Sequence, residues 1–403
     1  MERYLNFISN LIILIPLAII SGPFFSDLIV SVSALFFLLY CLIKNQFKYF
    51  NNNFFKLFIL FWIYIVGLSF FSENIIVSFK SAFPYIRFGI FVIFISFIIQ
   101  NNKNFLERFS ISLILVYCVI LFDSYFQFFF NQNIIGLISP SKNRLSSFFG
   151  DEMIVGSFLS RLFPLVLFCI LILSNKYNEK IKFLSIILLI LSDIIIYLAG
   201  ERTSFGILII INVSFILLIN QMKILRLVTF IFSILIIIFI TNNSGPVKDR
   251  MITQTIKDFG IKDENYQMFS NVHQSHYETA FQMFKKNPVT GVGVKMFRYE
   301  CANVQYARGN FNCTTHPHHT HLQILSETGI IGYFFLLTGL FFIIKRFILS
   351  ININYFKKKN TKILDLQNCI LIGVFANIFP LIPSGNFFNN WLSILYFLPI
   401  GFY

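Results

Sequence analysis

The chain has 403 residues, 56% of them apolar and only 12% charged, with 55 phenylalanines and a net charge of +14. Its mean hydropathy of +0.74 excludes a soluble enzyme, a disordered scaffold and a disulfide-rich secreted module, since about a quarter of a soluble domain's residues are charged. Its apolar stretches run unbroken for whole helix lengths, which excludes an outer-membrane barrel, whose strands alternate.

Twelve apolar segments follow one another at about 4–20, 28–43, 57–72, 85–99, 109–130, 154–174, 183–199, 203–219, 227–241, 322–344, 364–382 and 391–402. A helix needs about 20 mainly apolar residues to cross a bilayer, and helices satisfy their own backbone there. The expected fold is therefore all-α, a polytopic helical membrane protein of about twelve transmembrane helices. The first segment lacks a small-residue cleavage site and reads as a span, not as a removed signal peptide. The last two segments contain no charge, and their division rests on Pro380, Pro383, Gly385, Asn389 and Asn390.

With the N-terminus inside, the inner segments hold seventeen Lys and Arg, from Arg3 and Lys44 through Arg226 to the cluster at Lys357, Lys358 and Lys359. The outer turns and helix ends hold six: Lys80, Arg87, Lys142, Arg144, Arg161 and Arg202. Nine more lie in 242–321, a stretch too long to count toward orientation. The asymmetry predicts both termini inside and the long stretch outside, and it accounts for the positive charge without a nucleic-acid partner. The expected organisation is nine spans over 1–241, a loop with a mostly helical cap over 242–321, and three spans over 322–403.

Four cysteines, Cys41, Cys118, Cys169 and Cys369, lie within spans and read as small apolar side chains. Cys301 and Cys313 lie in the long loop, twelve positions apart, where an oxidising compartment allows a disulfide.

All six histidines fall in or at the end of that loop: His273, His276, His316, His318, His319 and His321. A wet loop tolerates histidine better than a lipid-facing helix does, which explains the spans' lack of it. It does not explain four of them in HPHHTH directly before a span. Imidazole suits zinc, but these four are crowded and neither CxxC nor HExxH accompanies them, so no metal is assigned. A histidine at a helix N-terminus is favoured in its neutral form. In that form it can accept the proton of an attacking hydroxyl.

The run from His318 through Gly329 to Gly332 resembles the signature of O-antigen ligases: His, then Asn, Ser or Gln, then nine residues, then Gly-x-x-Gly. His319 departs from that pattern, standing where a small amide or hydroxyl side chain is usual. The preceding Asn287-Pro288-Val289-Thr290-Gly291-Val292-Gly293 is similar to the family's NPxxGxG turn, and Gly291, Gly293, Gly329 and Gly332 are expected to serve structure. The resemblance extends to the layout of about twelve spans with one large periplasmic loop between the ninth and tenth.

The resemblance implies transfer of a glycan from undecaprenyl diphosphate to an acceptor hydroxyl at the periplasmic face of the bacterial inner membrane, with no cofactor. It implies that His318 activates the acceptor and that basic residues hold the departing diphosphate. Two phosphates leaving at a membrane edge need fixed cations, and arginine offers bidentate geometry. Arg202, in Gly200-Glu201-Arg202-Thr203-Ser204, resembles the family's G-x-R-[ST] turn. Arg144, in the run from Asn143 to Gly150, resembles its R-x-x-G/S-x-F stretch, and Arg87 lies at the outer end of the fourth span. Arg161 lies deeper, Glu201 is expected to orient Arg202, and Asp123 and Asp193 read as structural hydrogen-bond partners. The acceptor is lipid A–core for a ligase and a second lipid-linked glycan for a polymerase, and the His-x10-Gly-x-x-Gly spacing favours the ligase. A multispan transporter or lipid-glycan flippase is the competing class, and it predicts paired ionisable residues near midplane with internal symmetry.

Overall fold

The structure, a computed structural model, describes residues 2–177, 179–260, 268–353 and 362–403. Lys357, Lys358 and Lys359 and the side chain of Arg3 lie outside the described residues. The fold is 76% helix, with no strand among the described residues.

In chain order the helices are α1 (Glu2–Ile13), α2 (Ile15–Ile20), α3 (Pro23–Lys44), α4 (Asn53–Ser69), α5 (Ile75–Ala82), α6 (Ile86–Asn101), α7 (Phe105–Phe130), α8 (Val155–Tyr177), α9 (Glu179–Leu198), α10 (Arg202–Leu218) and α11 (Lys223–Asn243). Short helices α12 (Gly245–Lys248) and α13 (Gln254–Asp258), then α14 (Asn271–Lys286) and α15 (Phe297–Glu300), occupy the long loop. The chain ends with α16 (Thr320–Asn352), α17 (Lys362–Asn377) and α18 (Asn390–Ile400). All twelve apolar segments overlap these helices. Among the described residues seven helical stretches are long and apolar enough to cross a membrane, and α4, α10 and α18 are shorter apolar helices.

The surface of α11 shows what solvent this bundle is built for. Its buried face carries Arg226, Thr229, Ser233, Ile237 and Thr241, spaced as one helical stripe. Its exposed face carries Ile224, Val228, Ile231, Phe232, Leu235, Ile238 and Phe239. Polar groups inside and an exterior that is apolar up to the exposed Asn242 and Asn243 at its end invert the pattern of a water-facing helix and suit hydrocarbon.

Helix α8 is buried almost throughout and packs against α7, α9, α10 and α17, which makes it the central helix. Gly373 of α17 lets that helix approach Pro164 of α8, whose Cβ lies 3.1 Å from where a side chain would begin. Arg226 is fully buried and does not stand at an inner helix end as a free charge. Its Nη2 and Nη1 donate to Asp193 at 2.6 and 2.9 Å, and its Nε donates to Asn212 at 2.6 Å. Asp193 therefore joins α9, α10 and α11 through one satisfied network. Asp123 is likewise structural, accepting from the backbone N–H of Ile134 at 2.9 Å and from Ser147 Oγ.

Helix α16 contains a break. Gly329 has φ 63 and ψ −168, a region open essentially to glycine alone. The break frees backbone groups that must find partners, and the NPVTGVG turn supplies most of them. Val292 N–H donates to Ser326 O and Gly293 N–H to Glu327 O, both at 2.9 Å, while Ile330 N–H donates to Pro288 O at 2.9 Å. Tyr64 of α4 donates its hydroxyl to Thr328 O at 2.6 Å. The two glycine motifs are thus halves of one backbone joint. Gly293 lies so close to Ser72 that a Cβ would come within 2.5 Å of its side chain.

Candidate active site

The site forms where the segment before α16 meets α14. His318, at φ 55, sits in the left-handed region and turns the chain into α16. Its carbonyl accepts from Ser384 N–H at 2.9 Å. Around its ring lie three others: His316 at 4.1 Å between centroids, His276 of α14 stacked at 5.5 Å, and His273 edge-on at 5.8 Å. Tyr277 packs edge-on against His319, which keeps α14 seated on the start of α16.

The four histidines of HPHHTH divide into two jobs. His319 is the N-cap of α16: its Nδ1 accepts from Leu322 N–H at 3.3 Å, so its Nε2 carries the proton that goes to Pro380 O at 2.8 Å. A cap is the task an Asn or Ser performs at such a position, which explains the substitution. His321 donates from Nε2 to Ile378 O at 2.7 Å and meets Tyr333 Oη through Nδ1 at 3.1 Å. These two fasten α16 to the 378–384 segment, whereas His316 and His318 face His273 and His276.

Among the described residues no carboxylate hydrogen-bonds to the four clustered rings, although the charge of Asp258 acts on His273. Burial, and then the charges of His273 and His276, push His318 down to about 4. Burial, and then His318, push His316 down to about 3. His273 is lowered by burial and then by Arg202, and His276 by burial and then by His273. All four are therefore neutral at neutral pH. His276 Nδ1 and His316 Nε2 are buried without a partner. The ring of His318 makes no hydrogen bond among the described residues, so its nitrogens are free to take a proton. Among the described residues no group of three or more His, Cys, Asp or Glu is placed to hold a metal ion.

Next to the histidines lies a group of guanidinium side chains built around the turn at Gly200. Arg250 donates from Nε to Gly200 O at 2.9 Å, and a Cβ on Gly200 would lie 3.0 Å from Arg144 Cγ. Arg144 donates to Met153 O at 2.7 Å, but its Nε is buried and unpartnered. Arg202 pairs with Asp258 of α13 at 2.7 Å and reaches Thr255 Oγ1 at 3.3 Å. Arg250 is held below its ordinary value by burial and then by the charges of Arg202 and Arg144. Three like charges gathered with the two carboxylates of Asp258 and Glu201, the latter occupied in capping α8, form a ready anion site.

Glu201 does not orient Arg202. Its carboxylate caps α8, accepting from Gly156 N–H at 2.8 Å, Ser157 N–H at 3.2 Å and Ser157 Oγ. Arg87 stands in a different set: it pairs with Asp27 of α3 at 2.7 Å and donates to Pro84 O. Arg161 is buried in α8 with Nε and Nη1 unpartnered. Cys301 and Cys313 are joined by a disulfide with Cα atoms 5.1 Å apart. The loop they close packs on α14, where Gly309 lies against Ser275 one residue before His276.

Sequence reasoning missed Arg250, which sits in the uncounted loop and reaches Gly200 across fifty residues. It also missed an apolar cavity of about 180 Å³ between α4, α16, α17 and α18. Phe58, Phe61, Ile324, Gly332, Phe335 and Gly339 line it, and Ile324 lies within two turns of His318 along α16. Gly332 leaves no room for a Cβ beside Thr328 and Tyr64.

No curated protein matches the chain. Residues 184–337 match the family model described as O-antigen ligase, a stretch that runs from α9 into α16 and holds Arg202, Arg250 and the whole histidine cluster, though not Arg87 or Arg144. Over that stretch, less than half of its length, the chain is similar to the O-antigen ligase family.

Proposed function

We propose that this multi-pass membrane glycan transferase moves a glycan from undecaprenyl diphosphate to a sugar hydroxyl of lipid A–core, at the periplasmic face of the inner membrane, with inversion and without a metal. The observation that carries the reading is the neutral, unpartnered ring of His318, packed against His273, which in turn feels the charge of Arg202 from the guanidinium group at Gly200. A base and a leaving-group site are what this chemistry requires.

The acceptor oxygen attacks the anomeric carbon from the face opposite the diphosphate. The new C–O bond forms as the bond to the phosphate oxygen breaks, and the diphosphate departs with that electron pair. The hydroxyl proton goes to the free nitrogen of His318. Arg202, Arg144 and Arg250 stabilise the charge that accumulates on the leaving group, and Arg202 exchanges part of its pairing with Asp258 for the phosphates. The apolar cavity below His318 takes hydrocarbon chain, and the loop with its disulfide covers the sugars.

The polymerase reading, with a second lipid-linked glycan as acceptor, uses the same machinery. Transport predicts paired ionisable groups deep in the bundle, and Arg226 with Asp193 is such a pair. Every nitrogen of that guanidinium is already engaged and both side chains are fully buried, so the pair is read as a structural lock.

The test is glycan transfer in a host that lacks its own ligase and assembles a suitable carrier-linked glycan. The native chain should attach long glycan to lipid A–core, and His318→Ala at equal expression should lower the rate by about 10²–10⁴-fold. Lengthened carrier-linked glycan without attachment makes the protein a polymerase. A His318→Ala protein as active as the native one removes this residue from the chemistry.

A further inference from the structure

We propose that the apolar cavity between α4, α16, α17 and α18 binds a hydroxyl-bearing acyl chain of the acceptor lipid, with Asn377 and Tyr396 reading the hydroxyl. The inference rests on the transfer reading above, and it assigns this cavity to the acceptor and not to the isoprenoid carrier.

The cavity measures about 180 Å³, its wall is mostly Phe, Leu and Ile, and no charged residue lines it. An apolar cavity of about 150 Å³ stays dry and admits benzene, so this one has room for a short length of hydrocarbon. An anionic headgroup would find no counter-charge in its wall, so the part of a ligand that enters is uncharged. The cavity lies on the histidine side of the bundle. Ile378 lines it, and the Ile378 carbonyl accepts from His321 Nε2 at 2.7 Å.

Two atoms in this wall set the chemistry of the occupant. Asn377 and Tyr396 both line the cavity and are each only 6% exposed. Asn377 Oδ1 and Tyr396 Oη are buried without a hydrogen-bond partner among the described residues. The Asn377 amide is oriented by its Nδ2, which donates to Gly373 O at 2.9 Å, so the atom left over is the accepting oxygen. Arg161 of α8 acts on the Tyr396 phenol, and because a guanidinium only donates, the phenol keeps its own proton to give. Buried polar atoms left unpaired are costly, and this pair offers one acceptor and one donor in a single apolar cavity. A ligand hydroxyl answers both: it gives its proton to Asn377 Oδ1 and accepts from Tyr396 Oη. One water could do the same but would leave the apolar remainder of the cavity empty. An isoprenoid chain, pure hydrocarbon, answers neither atom. Asn377 ends α17, and Tyr396 lies six positions into α18, which starts at Asn390, or about 9 Å along its axis. The hydroxyl therefore sits near the head end of the chain, as in the β-hydroxyacyl chains of a lipid A.

The experiment uses two chain-matched probes, β-hydroxymyristoyl glucosamine and myristoyl glucosamine, which differ by one hydroxyl. Binding to the full chain in nanodiscs is counted by native mass spectrometry. We expect the hydroxylated probe to bind about tenfold more tightly. Tyr396→Phe and Asn377→Leu should each reduce that preference and together abolish it, with the affinity for the myristoyl probe unchanged. Gly339 also lines the cavity and has nothing within 4 Å of an added Cβ, so Gly339→Leu should fill the space and displace both probes. Equal binding of the two probes by the native chain, or a preference that survives the double substitution, overturns the site. So does displacement of the hydroxylated probe by equimolar undecaprenyl phosphate, which would give the cavity to the carrier. In the transfer assay the double variant should raise KM for the acceptor and leave kcat and the donor's KM as they are. A native chain that prefers the hydroxyl but transfers no glycan would sink the transfer reading and leave the site standing; transfer without the preference would do the reverse.

Discussion

At the residue scale the unusual feature is His318, the proposed general base, kept far below the ordinary histidine value. Burial is the larger cause and the charges of His273 and His276 the smaller. The sign follows directly: the base works while neutral, so the rate should hold as pH falls through 6.5 and drop only near about 4. His276→Asn removes one repelling neighbour and should move this acid limb upward, whereas a merely structural role for His276 would lower the rate at every pH alike. A pH–rate profile in proteoliposomes reads both, and a native limb at or above 6.5 would refute the assignment. Unfolded histidines titrate near 6.5, so the depressed values also weaken the cap progressively from there downward; recovery on return to neutral pH separates the two effects. His318 stood out in the sequence by its spacing to Gly329 and Gly332, and it lies at the centre of the histidine cluster. The capping role of His319 was not, because a cap is defined by backbone geometry and not by residue type alone. Arg250 left no signal at all, since a cation in a long loop carries no register.

At the scale of elements the joint between the broken α16 and the NPVTGVG turn decides where His318 points. Helical periodicity runs straight through Thr328-Gly329-Ile330-Ile331-Gly332, so the glycines stood out in the sequence while the break did not. The backbone makes it necessary: Gly329 occupies a conformation that side chains avoid, and a Cβ there would lie 2.2 Å from Val289 O. Gly329→Ala should therefore cost about 3 kcal/mol. Gly339→Ala, on the same helix with nothing within 4 Å of the added carbon, should cost nothing measurable. Thermal shift by fluorescence-detected size exclusion compares the two, and equal transitions would show that the joint is not strained. Because the joint carries both the 293–298 turn and the approach to His318, loss of activity should accompany loss of stability in the first variant only.

At the scale of the whole molecule the bundle is inside out, and that is why its class was readable from composition. The buried stripe of α11 is its polar one, and Arg226, counted as an inner charge, proved to be a buried strut to Asp193. Removing it from the tally leaves the inner side still far ahead of the six outer basic residues, so the orientation argument survives the correction. The orientation that charge asymmetry predicts has a consequence that geometry alone does not force: it puts the histidine cluster and the guanidinium group at Gly200 in the compartment opposite the termini. Lys285 on α14 and Lys345 on α16 are both exposed and lie at opposite ends of the bundle. In a Cys118→Ala background, a membrane-impermeant maleimide should label Lys285→Cys in cells with a permeabilised outer membrane. Lys345→Cys should react only after the inner membrane is opened. The reverse pattern would put the base on the cytoplasmic side, where carrier-linked glycans are begun with nucleotide sugars, and would require a different donor. Labelling of both sites in intact spheroplasts would mean that the chain does not hold one orientation, and a single-faced transferase would be excluded.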